Sequence, residues 1–372
     1  MVYSDFCKTS IEFVNPEQLQ KSFLDLPYSR VALILSEQAC KRYKLELLIA
    51  ELEKRFDLCW IKESVSYPTQ TMLKTGLDML KDFRPEVILA IGGGSAIDYA
   101  KGMKAFYSSS EDLTVEDITS LLQKKEILRN QIDIIAVPTT AGTGAEVTKW
   151  ATIWDDDKKC KYSIDNDVLK PDKAYIVPEF VAKADKKLTI TTGLDSMAHA
   201  MEAYWSKKSN PMVRALARES IRISIQYLEK IVANPEDISL REKQCVASVM
   251  SGLAFSMTRT TACHSISYPL TMMYHIPHGT AVAMTLAQVA ERNRGKFEEE
   301  DALFELFEAS GGIRAYLERI CGETVSLRLQ QYHIAKTEIA DIAESSFTLG
   351  RMDNNPVELN AEDVMEILEN TY

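Results

Sequence analysis

The sequence predicts an α/β half followed by an all-helical half, and three observations carry that prediction. Short apolar runs of strand length alternate with amphipathic helical patterns up to about residue 185. Two of those runs lead directly into glycine-rich turns. Beyond residue 185 the strand signals stop and helical periodicity takes over. A chain of 372 residues is also long for one core, which favours two domains. The change of pattern falls within 177–190, so the expected domains are 1–184, an α/β unit, and 185–372, an all-helical unit.

The elements follow in order. VALIL (31–35) is a strand, and 46–57 carries a helical pattern. LCWI (58–61) is the next strand and 71–83 the next helix. EVILAI (86–91) runs into GGGS and a helix over 96–107, and DIIAVP (133–138) runs into TTAGTGAE. Apolar strands separated by amphipathic helices make a parallel sheet covered on both faces. The second half reads as helices over 194–205, 212–232, 240–257, 281–294 and 300–311. Ligands of such two-part chains often bind in the cleft between domains.

Bulk composition narrows the function. The net charge of -11 argues against nucleic acid as a partner, though not against a small anionic substrate. No apolar run reaches the roughly 20 residues of a membrane span. The first sixteen residues, MVYSDFCKTSIEFVNP, lack the basic end and apolar core of a signal peptide. Seven cysteines without framework spacing suggest reduced thiols in a cytoplasmic protein.

Two turns suggest a dinucleotide. Gly92, Gly93, Gly94 and Ser95 leave a strand and open a helix. There, unpaired N–H groups and the positive end of the helix dipole suit a pyrophosphate. One glycine run is equally a tight turn, but a second turn, Thr139 to Gly144, also follows a strand and adds hydroxyls. Glu37 follows the first strand; its carboxylate would take the ribose hydroxyls and favour NAD over NADP, or else is a solvated surface group.

A third constellation suggests a metal. Asp195 and His199 are four residues apart, one turn of helix on one face, a spacing that surface neighbours also show. The segment TRTTACHSISYPLTMMYHIPHG (258–279) holds three of the five histidines, His264, His275 and His278. One carboxylate and three imidazoles suit a divalent first-row metal with a position open to substrate oxygen. A nicotinamide beside a Lewis acid is a coherent arrangement for carbonyl reduction.

IGGGSAIDYAK (91–101), VPTTAGTGAEVT (137–148), TTGLDSMAHAMEAY (191–204) and the CH…IPHG region together resemble the iron-containing (group III) alcohol dehydrogenase family. The resemblance covers most of the chain. It implies a Rossmann-like N-terminal domain and a helical metal-binding domain, the architecture of dehydroquinate synthase. By it, Asp195, His199, His264 and His278 match metal ligands, usually for Fe(II) and sometimes for Zn. Gly93, Gly94, Ser95, Asp98, Thr139, Thr140 and Thr143 match NAD-contacting positions, with NADP as the alternative. Lys161 falls where the family often has a basic residue near the ribose.

The departures bear on the substrate. Members acting on simple alcohols usually have small residues before the first histidine of the third motif and a second histidine four residues after it. Here those places hold Arg259-Thr260-Thr261 and Tyr268, and the pattern looks most like the branch that reduces phosphonoacetaldehyde to 2-hydroxyethylphosphonate. Arg259 would hold the phosphonate in bidentate fashion, with Thr260 and Thr261 as further donors; the alternative for Arg259 is a salt bridge. Tyr268 and His275 are the expected proton donors or relays, against core packing for the first and a surface turn for the second. Cys263 is expected in the core. The resemblance also implies a homodimer. The rivals are a short-chain alcohol or diol dehydrogenase with a neutral substrate, a dehydroquinate synthase-type lyase, and a non-catalytic dinucleotide-binding protein.

Overall fold

The structure, a computed structural model, describes residues 7–128, 130–155, 158 and 160–372. Part of the N-terminal stretch read for a signal peptide, Met1 to Phe6, lies outside the described residues. The chain forms two compact units, Met1–Thr140 with Ala145–Lys183 and Ala141–Gly144 with Ala184–Tyr372. Sequence reading ends the first domain at residue 184 and does not foresee that residues 141–144 join the second unit.

Among the described residues, the first unit contains eight strands: β1 (Ser10–Phe13), β2 (Arg30–Ile34), β3 (Asp57–Ile61), β4 (Val87–Gly92), β5 (Asp133–Pro138), β6 (Trp150–Asp155), β7 (Cys160–Asp165) and β8 (Lys173–Ile176). Six form a sheet in the order β1-β8-β5-β4-β2-β3, with every pairing parallel; β6 and β7 form a separate antiparallel hairpin. Successive side chains of a strand point to opposite faces. Val31, Leu33, Val87, Leu89, Ile135 and Val137 therefore pack with helices α1 (Pro16–Leu24), α2 (Glu37–Tyr43) and α3 (Glu46–Arg55). Ala32, Ile34, Ile88, Ala90, Ile134 and Ala136 pack with α4 (Gln70–Phe83), α5 (Gly94–Phe106) and α6 (Val115–Lys124). Two covered faces are why these strands read as unbroken apolar runs rather than alternating ones.

The strand order reverses at β2. The chain steps outward to β3, then returns to place β4 on the other side of β2. Adjacent strand ends whose connections diverge leave a crevice, the usual ligand position in an open parallel sheet. Glu37 follows β2 and the Gly92–Ser95 turn follows β4, so both flank that crevice.

The second unit is helical. α7 (Pro178–Val181) closes the first unit, and α8 (Lys186–Trp205), α9 (Pro211–Ala233), α10 (Ile238–Thr258), α11 (Ala262–Tyr274) and α12 (His278–Arg292) open the second. Asp185 caps α8 by accepting from the Leu188 N–H at 2.7 Å. From Ile190 to Trp205 almost every residue of α8 is buried, packed by α9, α10 and α12. A helix covered all round must satisfy its polar groups internally. Nearby, the fully buried Arg241 meets the same demand by donating to Pro235 O, Thr189 Oγ1, Gln244 Oε1 and Ala184 O. All seven cysteines are free thiols, with Cys263 in the core. Among the described residues, no helix is long and apolar enough to cross a membrane.

Leu89 lies on β4, between β2 and β5, with none of its surface exposed. Leu89→Ala should lower the unfolding free energy by about 2–5 kcal/mol in chemical denaturation, because the flanking strands cannot collapse onto the void.

Candidate functional site

α8 carries three buried polar side chains on one face: Asp195, His199 and Glu202, at i, i+4 and i+7. α11 brings His264 against them, and α12 opens with His278. The approach of α12 depends on Gly279, since a Cβ there would stand 2.0 Å from the Thr191 carbonyl oxygen on α8. This is the physical content of the HIPHG motif. The proline leads the chain into the new helix, and the glycine lets it abut α8 so that His278 reaches the cluster.

Donor atoms of Asp195, His199 and His264 all lie within 4.8 Å of one another, and all three residues are buried. Asp195 Oδ1 is 3.6 Å from His264 Nε2 and 3.9 Å from His278 Nε2. Asp195 Oδ2 is 3.9 Å from His199 Nδ1. These separations are too long for hydrogen bonds. The two separations to His264 and His278 approach the roughly 3.0–3.4 Å between donors that each sit about 2.1 Å from one shared ion. Asp195 Oδ1 and His264 Nε2 are buried without a hydrogen-bond partner, which is costly unless a cation joins them. The donor set therefore fits a divalent metal.

The imidazoles are held in the ligand tautomer. The Gly142 carbonyl can only accept, so at 3.3 Å it selects the proton on His199 Nδ1 and leaves the Nε2 lone pair. Gly142 comes this close because it has no side chain; a Cβ would stand 2.7 Å from Thr192 O. Burial pushes the His199 pKa down to about 4 despite Asp195, so its ring is neutral at pH 7. His264 Nδ1 bonds Glu202 Oε2, which directs Nε2 toward Asp195. Burial opposes charge on His264, but Glu202 and Asp195 outweigh it and raise the pKa. Burial alone would raise Asp195; His199, His264 and His278 instead hold it well below the carboxylate range.

Glu202, absent from the sequence expectations, has no exposed surface. Its second oxygen accepts from Thr261 N (3.0 Å), Thr261 Oγ1 (2.8 Å), Cys263 N (2.8 Å) and His264 N (3.3 Å). These groups open α11, which lacks a cap from its own N-cap side chain. One carboxylate thus caps the helix that carries His264 and orients the His264 ring. The i+7 spacing from Asp195, on a helix otherwise apolar at those positions, was the available signal.

The remaining candidates divide. Thr261 does not face a ligand: its hydroxyl donates to Glu202 and accepts from Trp205 Nε1 at 2.9 Å, and it is fully buried. His275 is the exposed, left-handed C-cap of α11, about 16 Å along the helix axis from His264, too far for direct proton transfer. That is the surface turn given above as its alternative. Tyr268 is closer: its ring stacks parallel to that of His278 at 6.1 Å, and burial raises its pKa, with bonds to Arg351 and Thr260 opposing. Arg259 follows α10 with φ 66 and ψ 176, a region almost confined to glycine. Its Nη1 lies where a Cβ on Gly350 would come within 2.5 Å.

In the first unit, Gly93 is the N-cap of α5 without a side-chain cap, so Gly94 and Ser95 lie in an uncapped first turn. The Ser95 hydroxyl donates to Ser66 O at 2.7 Å. Thr139 N donates to Gly92 O at 2.9 Å, and Thr140 Oγ1 faces the Gly93 position. Glu37 stands 4.0 Å from Lys62 Nζ, both exposed. Asp98 accepts from Thr152 N at 3.0 Å, tying α5 to β6; burial raises its pKa to about 6 against the pull of Lys101. Lys161 lies on β7, opposite Trp154. Thr143 belongs to the second unit.

A family model described as iron-containing alcohol dehydrogenase matches residues 14–178, and one for the C-terminal part of the Fe-containing alcohol dehydrogenase family matches 189–372. A 1-propanol dehydrogenase of Salmonella typhimurium is 29% identical over 322 residues, 81% of this chain and 82% of that protein. An NADPH-dependent butanol dehydrogenase of Clostridium saccharobutylicum is 30% identical over 320 residues, 82% of this chain and 80% of that one. The structure of a sulfoacetaldehyde reductase from Bifidobacterium kashiwanohense in complex with NAD+ superposes with a TM-score of 0.89 at 25% identity, covering 100% of this chain and 99% of the other.

Glu202→Gln preserves volume but removes the charge opposite His264. Chelator competition at fixed pH should show Fe(II) or Zn affinity reduced about 10- to 100-fold; unchanged affinity would assign Glu202 to helix capping alone.

Proposed function

The chain belongs to the iron-containing alcohol dehydrogenase family, and on that premise we propose that it reduces phosphonoacetaldehyde to 2-hydroxyethylphosphonate. It is an NAD-linked alcohol dehydrogenase or aldehyde reductase, of a family that uses NAD(H) and a divalent metal. That assignment replaces the lyase and non-catalytic rivals.

Asp195, His199, His264 and His278 would hold the metal, with Fe(II) the first choice and Zn the second. The Gly93–Ser95 turn, with Thr139 and Thr140, would hold the dinucleotide, and Asp98 and Lys161 are further contacts in this reading. Glu37 would bind the adenosine ribose and favour NADH. When bound, the reduced nicotinamide supplies the hydride and the divalent cation withdraws electron density from the carbonyl oxygen. The chain's own residues orient the substrate and deliver a proton. Tyr268, kept protonated by burial, is the group suited to protonate the developing alkoxide, directly or through water. Arg259 grips the anionic end and fixes the carbonyl, supplying orientation rather than chemistry.

The observation that carries the substrate assignment is the backbone of Arg259. A side chain at φ 66, ψ 176 costs on the order of 1–3 kcal/mol relative to glycine. An arginine kept there at a cost in stability is best explained by work at the site. The sulfoacetaldehyde reductase supports the same direction, because its named substrate also joins an aldehyde to a tetrahedral anion. The second reading is a neutral short-chain alcohol, favoured by the name of the 1-propanol dehydrogenase relative.

Steady-state oxidation of NADH by the iron-loaded enzyme should give a higher kcat/KM with phosphonoacetaldehyde than with propanal; the reverse order supports the neutral-substrate reading. Arg259→Gly should separate stability from function. The unfolding free energy should rise by about 1 kcal/mol as strain is relieved, while KM for phosphonoacetaldehyde rises at least about tenfold. A variant that loses stability would contradict the strain argument.

A further inference from the structure

The segment following residue 345 packs against the turn that carries Arg259. Ser265 Oγ donates to Ser346 O at 2.5 Å and accepts from Thr348 N at 3.0 Å. Asn354 Nδ2 donates to Thr258 O at 2.9 Å and Thr260 O at 3.1 Å, bracketing Arg259 on both sides. The segment is thereby fixed where Gly350 leaves room for the Arg259 guanidinium: a side chain there would collide with Nη1, and Gly350 itself has φ 80.

The next residue is a second arginine. The Arg351 guanidinium carbon stands 5.6 Å from the centre of the Tyr268 ring, and its positive charge opposes the rise that burial gives the Tyr268 pKa. The ring of Tyr268 is in turn parallel to that of His278. Arg351 Nε is buried without a hydrogen-bond partner. Leaving a guanidinium N–H buried and unpaired is costly, and an anion received beside it removes that penalty.

We infer that Arg351 is the second cation of the anion subsite, acting with Arg259 and the Thr260 and Tyr268 hydroxyls, and that the subsite takes a tetrahedral dianion. This rests on the anionic-aldehyde reading above. Two guanidinium groups and two hydroxyls offer more donors than a planar carboxylate can accept, whereas the three oxygens of a phosphonate can engage them together. Two cations also attract a dianion about twice as strongly as a monoanion at equal distance. Arg351 is accordingly a specificity residue, and Tyr268 is held by it on the substrate side.

The test compares the iron-loaded wild type with Arg351→Gln and Arg351→Lys, using phosphonoacetaldehyde and propanal. The ratio of kcat/KM for the anionic to the neutral aldehyde should fall about 10- to 100-fold in Arg351→Gln, mostly through KM, with partial recovery in Arg351→Lys. Methylphosphonate should inhibit the wild type more tightly than methanesulfonate, with the margin shrinking in Arg351→Gln. Wild type that favours the anionic aldehyde, with both substrates losing equally in Arg351→Gln, would make Arg351 a mere support for Tyr268 and overturn the inference while leaving the anionic reading intact. Equal inhibition by the two anions would overturn the dianion assignment. A wild type without preference between the aldehydes would remove the anionic reading, and this inference with it.

Discussion

The bond between the buried Glu202 carboxylate and His264 Nδ1 is the interaction on which the rest of the helical unit depends. A carboxylate with no exposed surface is tolerable only when its lone pairs are taken up. Here the opening N–H groups of α11 take up one oxygen and an imidazole the other. The result is more than a satisfied charge. α11 starts at a fixed place, its first histidine points one nitrogen at Asp195, and the two helices cannot slide without exposing the carboxylate to apolar surroundings. His199, its tautomer set by Gly142 O, and His278, admitted by Gly279, complete a set of donors arranged before any ion arrives.

Around that centre, one helix turn serves two requirements in opposition. The chain must leave α10 and start α11 within three residues, Arg259 to Thr261. Glycine would do so without strain. The arginine costs backbone energy, and the loop of residues 346–354 holds it in position through side-chain bonds to Ser265, Thr258 and Thr260. In the proposed reading, stability is given up at the binding site in return for selectivity, a common compromise.

Much of this was legible before any coordinates. The central strands read correctly because a parallel sheet covered on both faces makes them continuously apolar, and the long helices read correctly because their periodicity persists over several turns. The edge strand β1, with SIEF mostly exposed, and the four-residue β8 carry too little apolar signal to register. In the separate hairpin, β6 alternates buried and half-buried residues and β7 is half-buried except at Ile164, so neither resembles a buried run. At the site, Asp195, His199, His264 and His278, which the structure brings together, stand out in sequence because few side-chain types can ligate a metal. Thr261 could not be judged, since a threonine hydroxyl serves a helix cap as readily as a substrate. Glu202 looked like any helical glutamate until burial was known. Arg351 lies far along the chain, and only the tertiary fold brings it to Tyr268.

X-ray absorption on the metal-loaded protein reads this donor set itself. One ion per chain is expected, with three imidazole nitrogens and one carboxylate oxygen at about 2.0–2.2 Å. A first shell containing a cysteine sulfur, or fewer than two imidazoles, would contradict it.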